Sequence, residues 1–240
     1  MNSVINTIMG HRSIRAFTDE AITEQEFNTI IQAGMSGSSS HFMQVLSVIR
    51  IKDKDKRKKL AQLAGNQAYV ESAAEFLVFC IDFQRHYELN ENVKPEFMEL
   101  TLVGAVDAGI MAQNCLIAAE SMGLGGVFIG GLRNNPAEVD ALLELPAHTA
   151  VLFGMCLGHP DQNPEHKPRL PQEVVVHTDS YHSLDKALID GYDQTMQDYY
   201  LSRSSNVKQA GWSKEITAYL SKESRPFILG YLQSKGLAKK

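Results

Sequence analysis

The feature that most restricts how this chain can fold is a run from about Glu96 to Met122 that reads as one long helix built largely of small residues. Phe97, Leu100, Val103 and Ile110 recur with helical spacing, while Gly104, Ala105, Ala108, Gly109, Ala112, Ala118 and Ala119 keep much of the cylinder thin until Gly123 ends it. Small side chains let another helix approach closely, so this helix belongs at the centre of the core or of a dimer interface. No uninterrupted apolar run in this reading approaches membrane-spanning length, and the amphipathic N-terminus does not have the layout of a signal peptide. The expectation is a cytoplasmic protein with no membrane partner.

The flanking segments supply the other layers. Val4, Ile5, Ile8 and Met9 predict a helix stopped by Gly10. Thr23-Glu24-Gln25-Glu26 is a capping box for a helix carrying Phe27, Ile30 and Ile31 and ending near Gly34. Val45 to Ile51 alternates as a strand, and the charges from Lys52 to Lys59 are the solvated face of a helix that buries Leu60 and Leu63. Phe76 to Ile81 and Val151 to Gly158 are nearly continuous apolar runs, expected of strands buried on both faces. Pro136 behind Asn135 opens a helix through Leu143, and Val174-Val175-Val176 reads as a short strand. The last sixty or so residues are polar and helical, anchored by Trp212 and Phe227-Ile228-Leu229. A tail with so little core of its own packs on something else, by preference a partner subunit.

Chemistry concentrates in a few places. A formal net charge of -5 argues against a general nucleic-acid binder, so any basic site is local. Cys80, Cys115 and Cys156 sit in apolar surroundings without CxxC spacing and read as reduced core residues. His11-Arg12-Ser13-Ile14-Arg15, just past the end of the first helix, has the donors of an anion site, with a solvated turn as the plainer reading. Lys167 and Arg169, two residues apart on a proline-stiffened segment, form a second. Ser36-Gly37-Ser38-Ser39-Ser40-His41 suits a backbone close to a ligand, or is a plain loop. Leu124 to Arg133 is a short strand between glycine pairs, but Phe128 stands where a dinucleotide fingerprint needs its third glycine, and the pattern follows a helix. Gly130-Gly131 leaves room for something flat and large, or makes a tight turn. Nothing gathers a nucleophile, a triad or a metal site.

These stretches, with Gln67-Ala68-Tyr69 and Val127-Phe128-Ile129-Gly130-Gly131-Leu132-Arg133-Asn134, occur in the order and spacing of the oxygen-insensitive nitroreductase superfamily, which the chain resembles from residue 3 to its final Leu-Ala-Lys. More narrowly it resembles the NADPH-specific branch of major nitroreductases and NADPH–FMN oxidoreductases (flavin reductase P). The resemblance implies an α+β fold, a central, mainly antiparallel sheet wrapped by helices, and an intertwined homodimer with a swapped C-terminal segment. Residues 1–240 would then be a single FMN-binding domain, with a core of about 1–180 and an excursion of about 181–240 on the partner. It further implies FMN at the subunit interface: His11, Arg12, Ser13, Lys167 and Arg169 on the phosphate, Arg15 beside the pyrimidine edge, and Ser39, Gln67 and Tyr69 on ring and ribityl chain. Ile14, Phe128 and Ile129 line the same site, and the Gly130 and Gly131 amides lie near N5.

The chemistry implied by that resemblance is ping-pong hydride transfer from NADPH to FMN N5 and on to an acceptor, with no catalytic side chain beyond the flavin-tuning Arg15. Arg203, and with it Lys208, would meet the NADPH phosphate within the stretch Ser202-Arg203-Ser204-Ser205-Asn206. Glu99 lies near the active-site helices of relatives. The acceptor is free FMN, with a flavin-dependent monooxygenase receiving the reduced form, or alternatively a nitroaromatic or quinone. A flavin-sequestering protein without turnover is the reading from another class.

Overall fold

A computed structural model describes residues 2–203 and 208–240. Helix α1 (Ser3–Met9) begins where the Asn2 side chain accepts from the Ile5 amide and stops at Gly10. Helix α2 (Glu24–Met35) opens on a complete capping box, the Glu26 carboxylate accepting from the Thr23 amide at 2.8 Å. Then come strand β1 (Leu46–Arg50), helix α3 (Lys54–Leu63), the single turn α4 (Tyr69–Ser72), strand β2 (Glu75–Asp82) and helix α5 (Gln84–Leu89), which no apolar spacing announces. The long helix α6 (Met98–Ser121) leads into β3 (Gly125–Ile129), a 3-10 turn over Gly130–Asn134, α7 (Pro136–Leu143) and β4 (Thr149–Gly158). The remainder is helical: α8 (Gln172–Val175), α9 (Lys186–Ser202), α10 (Trp212–Leu220) and α11 (Ile228–Ser234).

Among the described residues the strands form one four-stranded sheet in the order β1-β2-β4-β3, antiparallel at each junction. The fold is therefore the α+β arrangement expected, an antiparallel sheet wrapped by helices. β2 is one of the two inner strands and every one of its residues is buried. Successive side chains alternate across the sheet. Phe76, Val78 and Cys80 join a core with Leu60 and Leu63 of α3, whereas Leu77 and Phe79 pack with Ile30 of α2 and Ala112, Cys115 and Leu116 of α6.

The thinness of α6 is used inside the chain. A Cβ on Gly104 would lie 2.3 Å from Ile81 Cδ1, and one on Gly34 of α2 would lie 2.3 Å from Cys115 Sγ. By length and composition alone α6 is apolar enough to cross a membrane, a property the sequence reading did not assign to any segment. Its small-residue face is nevertheless core to the sheet. The three cysteines are free and buried, and burial pushes the Cys80 and Cys115 thiols up to about 12.

The chain divides into two compact units, Met1–Pro164 with Arg225–Lys240, and Glu165–Ser224. In the second unit Tyr192, Met196 and Tyr200 of α9 are buried, and Trp212 packs edge-on against Tyr192 at 5.7 Å. Two local expectations are corrected. Val174-Val175-Val176 is no strand: one helical turn starts behind Pro171, because no described strand pairs with it and Val175 and Val176 are solvent-exposed. At the C-terminus Phe227 and Leu229 are exposed, Ile228 packs half-buried against the core of the first unit as expected, and Tyr231 and Leu237 enter that core.

Candidate functional site

Past Gly10 the chain crosses the end of β3. Ser13 bridges Gly126 in parallel, the Ile14 amide donates to the Gly126 carbonyl at 2.9 Å, and the Ile14 side chain is buried. Pinning Ile14 inward fixes its neighbours by alternation. His11 Nδ1 lies 2.6 Å from Glu120 Oε1 in the last turn of α6, which holds the ring hydrogen at Nδ1 and sets the ring plane. The Arg12 guanidinium donates to the Asn163 side-chain oxygen. Arg15 is exposed, and no described residue gives it a hydrogen bond or ion pair. Thr7, Gly10, Arg12, Glu120, Gly125 and Asn163 line a concavity of about 320 Å³ here.

The other end of β3 gathers a second group. Phe128 is partly exposed and stands edge-on to Phe153 at 5.5 Å, while Ile129 is buried. The two following glycines differ. A Cβ on Gly131 would lie 2.3 Å from the Ala64 carbonyl oxygen and 2.5 Å from Gln67 Nε2, so Gly131 is glycine because the chain itself fills the space. A Cβ on Gly130 would meet only the Arg133 guanidinium, at 3.6 Å and beyond. Gln67 donates to the Ala64 carbonyl at 2.7 Å and accepts from the Tyr69 hydroxyl at 2.5 Å, so Gln67, Tyr69, Gly130 and Gly131 form one group. Arg133 donates to the Leu152 carbonyl of β4, and Asn135, instead of capping α7, donates to the Leu63 carbonyl at 2.8 Å. Both bonds fix the turn. From Gly126 to Gly130 the strand spans roughly 13 Å, which suits a ligand with an anionic end and a flat end.

The other expected residues lie elsewhere. The Ser39 hydroxyl donates to Asp107 in the middle of α6 at 2.7 Å, about 20 Å along that helix from Glu120. Within one chain Ser39 is therefore not part of the His11 group. Glu99 is exposed in the first turn of α6. Lys167 and Arg169 belong to the second unit, where Arg169 donates to the Lys167 carbonyl at 3.2 Å and Lys167 Nζ lies 5.4 Å from the centre of the Tyr200 ring. Lys208 pairs with Glu215 at 2.8 Å, a bond that raises its pKa, whereas no described acid pairs with Arg203, which lies 5.7 Å from the Tyr199 ring centre. Ser204, Ser205 and Asn206, included in the NADPH stretch, lie outside the described residues. Among the described residues no cluster of His, Cys, Asp or Glu could hold a metal ion.

Sequence reasoning did not find Glu120, Asp107 or Asn163. The first two had a signal: a carboxylate inside an otherwise small and apolar helix requires a polar partner when buried. Asn163 had none.

Comparison with known proteins identifies the family. Residues 8–159 match the Nitroreductase family and residues 167–240 match the Nitroreductase family, C-terminal domain. The chain is 65% identical over 240 residues to the NADPH-flavin oxidoreductase of Vibrio harveyi, covering 100% of both. It is 50% identical over 238 residues to the oxygen-insensitive NADPH nitroreductase of Salmonella typhimurium, covering 99% of each. Among solved structures, the NADPH:FMN oxidoreductase from Vibrio harveyi complexed with NAD+ superposes with a TM-score of 0.95 at 63% identity, over 100% of both chains. By matched families, whole-length identity and fold, this chain belongs to the nitroreductase family.

Proposed function

We propose that this chain is an FMN-dependent NADPH oxidoreductase holding its flavin along the edge of β3. The observation that carries this is the pair of groups at the two ends of that strand: His11, Arg12 and Ser13 by Gly126, and Gln67 and Tyr69 by Gly130. Cationic and hydroxyl donors at one end suit a phosphate. An amide, a phenol and an open glycine at the other suit a ring that must approach the backbone closely. The open side of Gly130 is where the residues present fit the isoalloxazine; the filled side of Gly131 supports the turn behind it.

In this reading Lys167 and Arg169 complete the phosphate grip, Ile14, Phe128 and Ile129 line the site, and the exposed charge of Arg15 sits beside the pyrimidine edge to stabilise negative charge on the reduced ring. When bound, FMN supplies acceptance of a hydride from NADPH and its delivery to an acceptor. The protein contributes no general base. Arg203, whose charge no described acid answers, meets the NADPH 2′-phosphate, while Lys208 is already paired with Glu215 and contributes less.

A homodimer is part of the same proposal. Leu102, Val106 and Ile110 form an exposed apolar stripe on α6, with Val106 61% exposed. Helix α10 buries none of its own residues, as suits a swapped segment covering a partner in the single domain proposed. Ser39 then serves the flavin of the other subunit. Free FMN is the preferred acceptor, a reading supported by 65% identity to an NADPH-flavin oxidoreductase. Nitroaromatics and quinones are the second reading, and delivery of reduced FMN to a monooxygenase, in the cytoplasm, is the finer step of the first.

The test is an absorbance spectrum of the purified protein, then anaerobic addition of one equivalent of NADPH, then free FMN or nitrofurazone. A yellow protein that bleaches and regains colour faster with FMN supports the reading. A colourless protein that takes up no FMN overturns it. Arg203→Ala is expected to raise the KM for NADPH about tenfold with little change for NADH, the loss of one charge-assisted contact.

A further inference from the structure

We propose that Asp107 is the positioning residue for Ser39: it turns the hydroxyl proton inward and leaves a lone pair for a hydrogen-bond donor on the flavin. The proposal rests on the reading of Ser39 as a flavin contact from the neighbouring subunit.

The segment after α2 descends α6 one turn at a time. A Cβ at Gly34 would meet Cys115 and Met111, and one at Gly37 would lie 3.0 Å from Ile110 Cγ2 and 3.3 Å from Asn114 Nδ2. One turn further down α6, the segment reaches Asp107. That carboxylate is 5% exposed in the middle of a helix, and among the described residues no cation pairs with it. Burial of an anion is costly unless donors meet it. The donors are the Ser39 hydroxyl, at 2.7 Å from Oδ2, and the Ser40 amide, at 3.3 Å from Oδ1.

Ser39 is thereby fully specified. A hydroxyl has one proton and two acceptor lone pairs. The proton goes to Asp107, one lone pair accepts the Gln44 amide at 2.8 Å, and one lone pair remains. The loop between these bonds is strained: His41, Phe42 and Gln44 have φ of 48°, 55° and 52°, in the left-handed region that non-glycine residues avoid. Such backbone persists only where its surroundings over-determine it. The bonds through Asp107 and Ser39 are part of those surroundings, with His86 Nε2 at 2.7 Å from the Met43 carbonyl and Arg85 donating to the Gln44 carbonyl at 3.2 Å, and together they set the loop before a ligand arrives.

The remaining lone pair accepts and cannot donate. Its partner on FMN is a ribityl hydroxyl or the ring N3–H, and not the phosphate, whose oxygens accept at neutral pH. Riboflavin carries the same donors without the phosphate, so it separates the two.

Apo-protein of the parent, Ser39→Ala, Asp107→Asn and the double variant would be titrated with FMN and with riboflavin by flavin fluorescence, with dimer mass and Tm recorded. Asparagine keeps the shape and can still accept from the Ser40 amide, but its NH2 reverses the bond to Ser39. Asp107→Asn is expected to weaken FMN and riboflavin alike by about tenfold, as is Ser39→Ala, with the double variant no weaker than either. Ser39→Ala weakening both flavins while Asp107→Asn changes only Tm would overturn the role of Asp107, as would loss of fold in Asp107→Asn. Weakening of FMN without riboflavin would overturn the orientation. Unchanged affinities in Ser39→Ala would instead remove the reading of Ser39 on which the proposal stands.

Discussion

Helix α6 puts one composition to two uses. Towards β2 and α2 it presents Gly104, Ala108, Ala112, Cys115 and Ala119, all buried, and away from them Leu102, Val106 and Ile110, all exposed. Both faces are apolar, so the contrast of apolar and polar faces that usually orients a surface helix is missing. What differs is size. Small residues predominate where other elements of the same chain approach closely, beside the buried Leu116, and the larger branched Leu102, Val106 and Ile110 make up the exposed stripe assigned to the proposed dimer. Two carboxylates within the helix, Asp107 and Glu120, hold residues of the proposed flavin site.

That contrast can be broken in order of expected effect. Gly104→Leu drives a side chain into Ile81 and should lower unfolding stability by about 3 kcal/mol in urea titrations. A neutral result would mean that thinness is not what the inner face requires. Val106→Lys, on the outer face, should leave stability of the single chain within about 0.5 kcal/mol. It should weaken dimerisation by about 2 kcal/mol, roughly thirtyfold, in sedimentation, and unchanged association would assign the stripe to solvent. Glu120→Gln is the smallest: FMN binding should weaken by about 1 kcal/mol, near fivefold, as the His11 ring loses its fixed partner. If Glu120→Gln instead destabilises the fold as much as Gly104→Leu, the carboxylate belongs with the packing face.

Much of the fold was legible because local chemistry decided it. Gly10 ends α1, Thr23 and Glu26 cap α2, and the unbroken apolar run of β2 matches burial on both faces. Pairing order was not legible, since β2 joins β4 across a long separation that no local pattern encodes. Val174 to Val176 misled because β-branched residues favour strands only where a sheet edge accepts them. At the site, the residues around His11 and Gly130 were visible as donors and glycines. Their supports were not: the reason for Gly131 is the Ala64 carbonyl, an atom that every residue carries.

The position of β2 between β1 and β4 also has a consequence in time. Thr149, where β4 begins, lies 67 residues beyond Asp82, where β2 ends. At ribosomal speeds of about 5–20 residues per second, the most buried strand of the protein waits roughly 3–13 s during synthesis with one edge unpaired. A strand with an apolar run from Phe76 to Ile81 and an open edge is a template for aggregation. Of the elements made within that interval, α6 packs on one face of β2 in the finished fold, whereas the edge is closed only by β4.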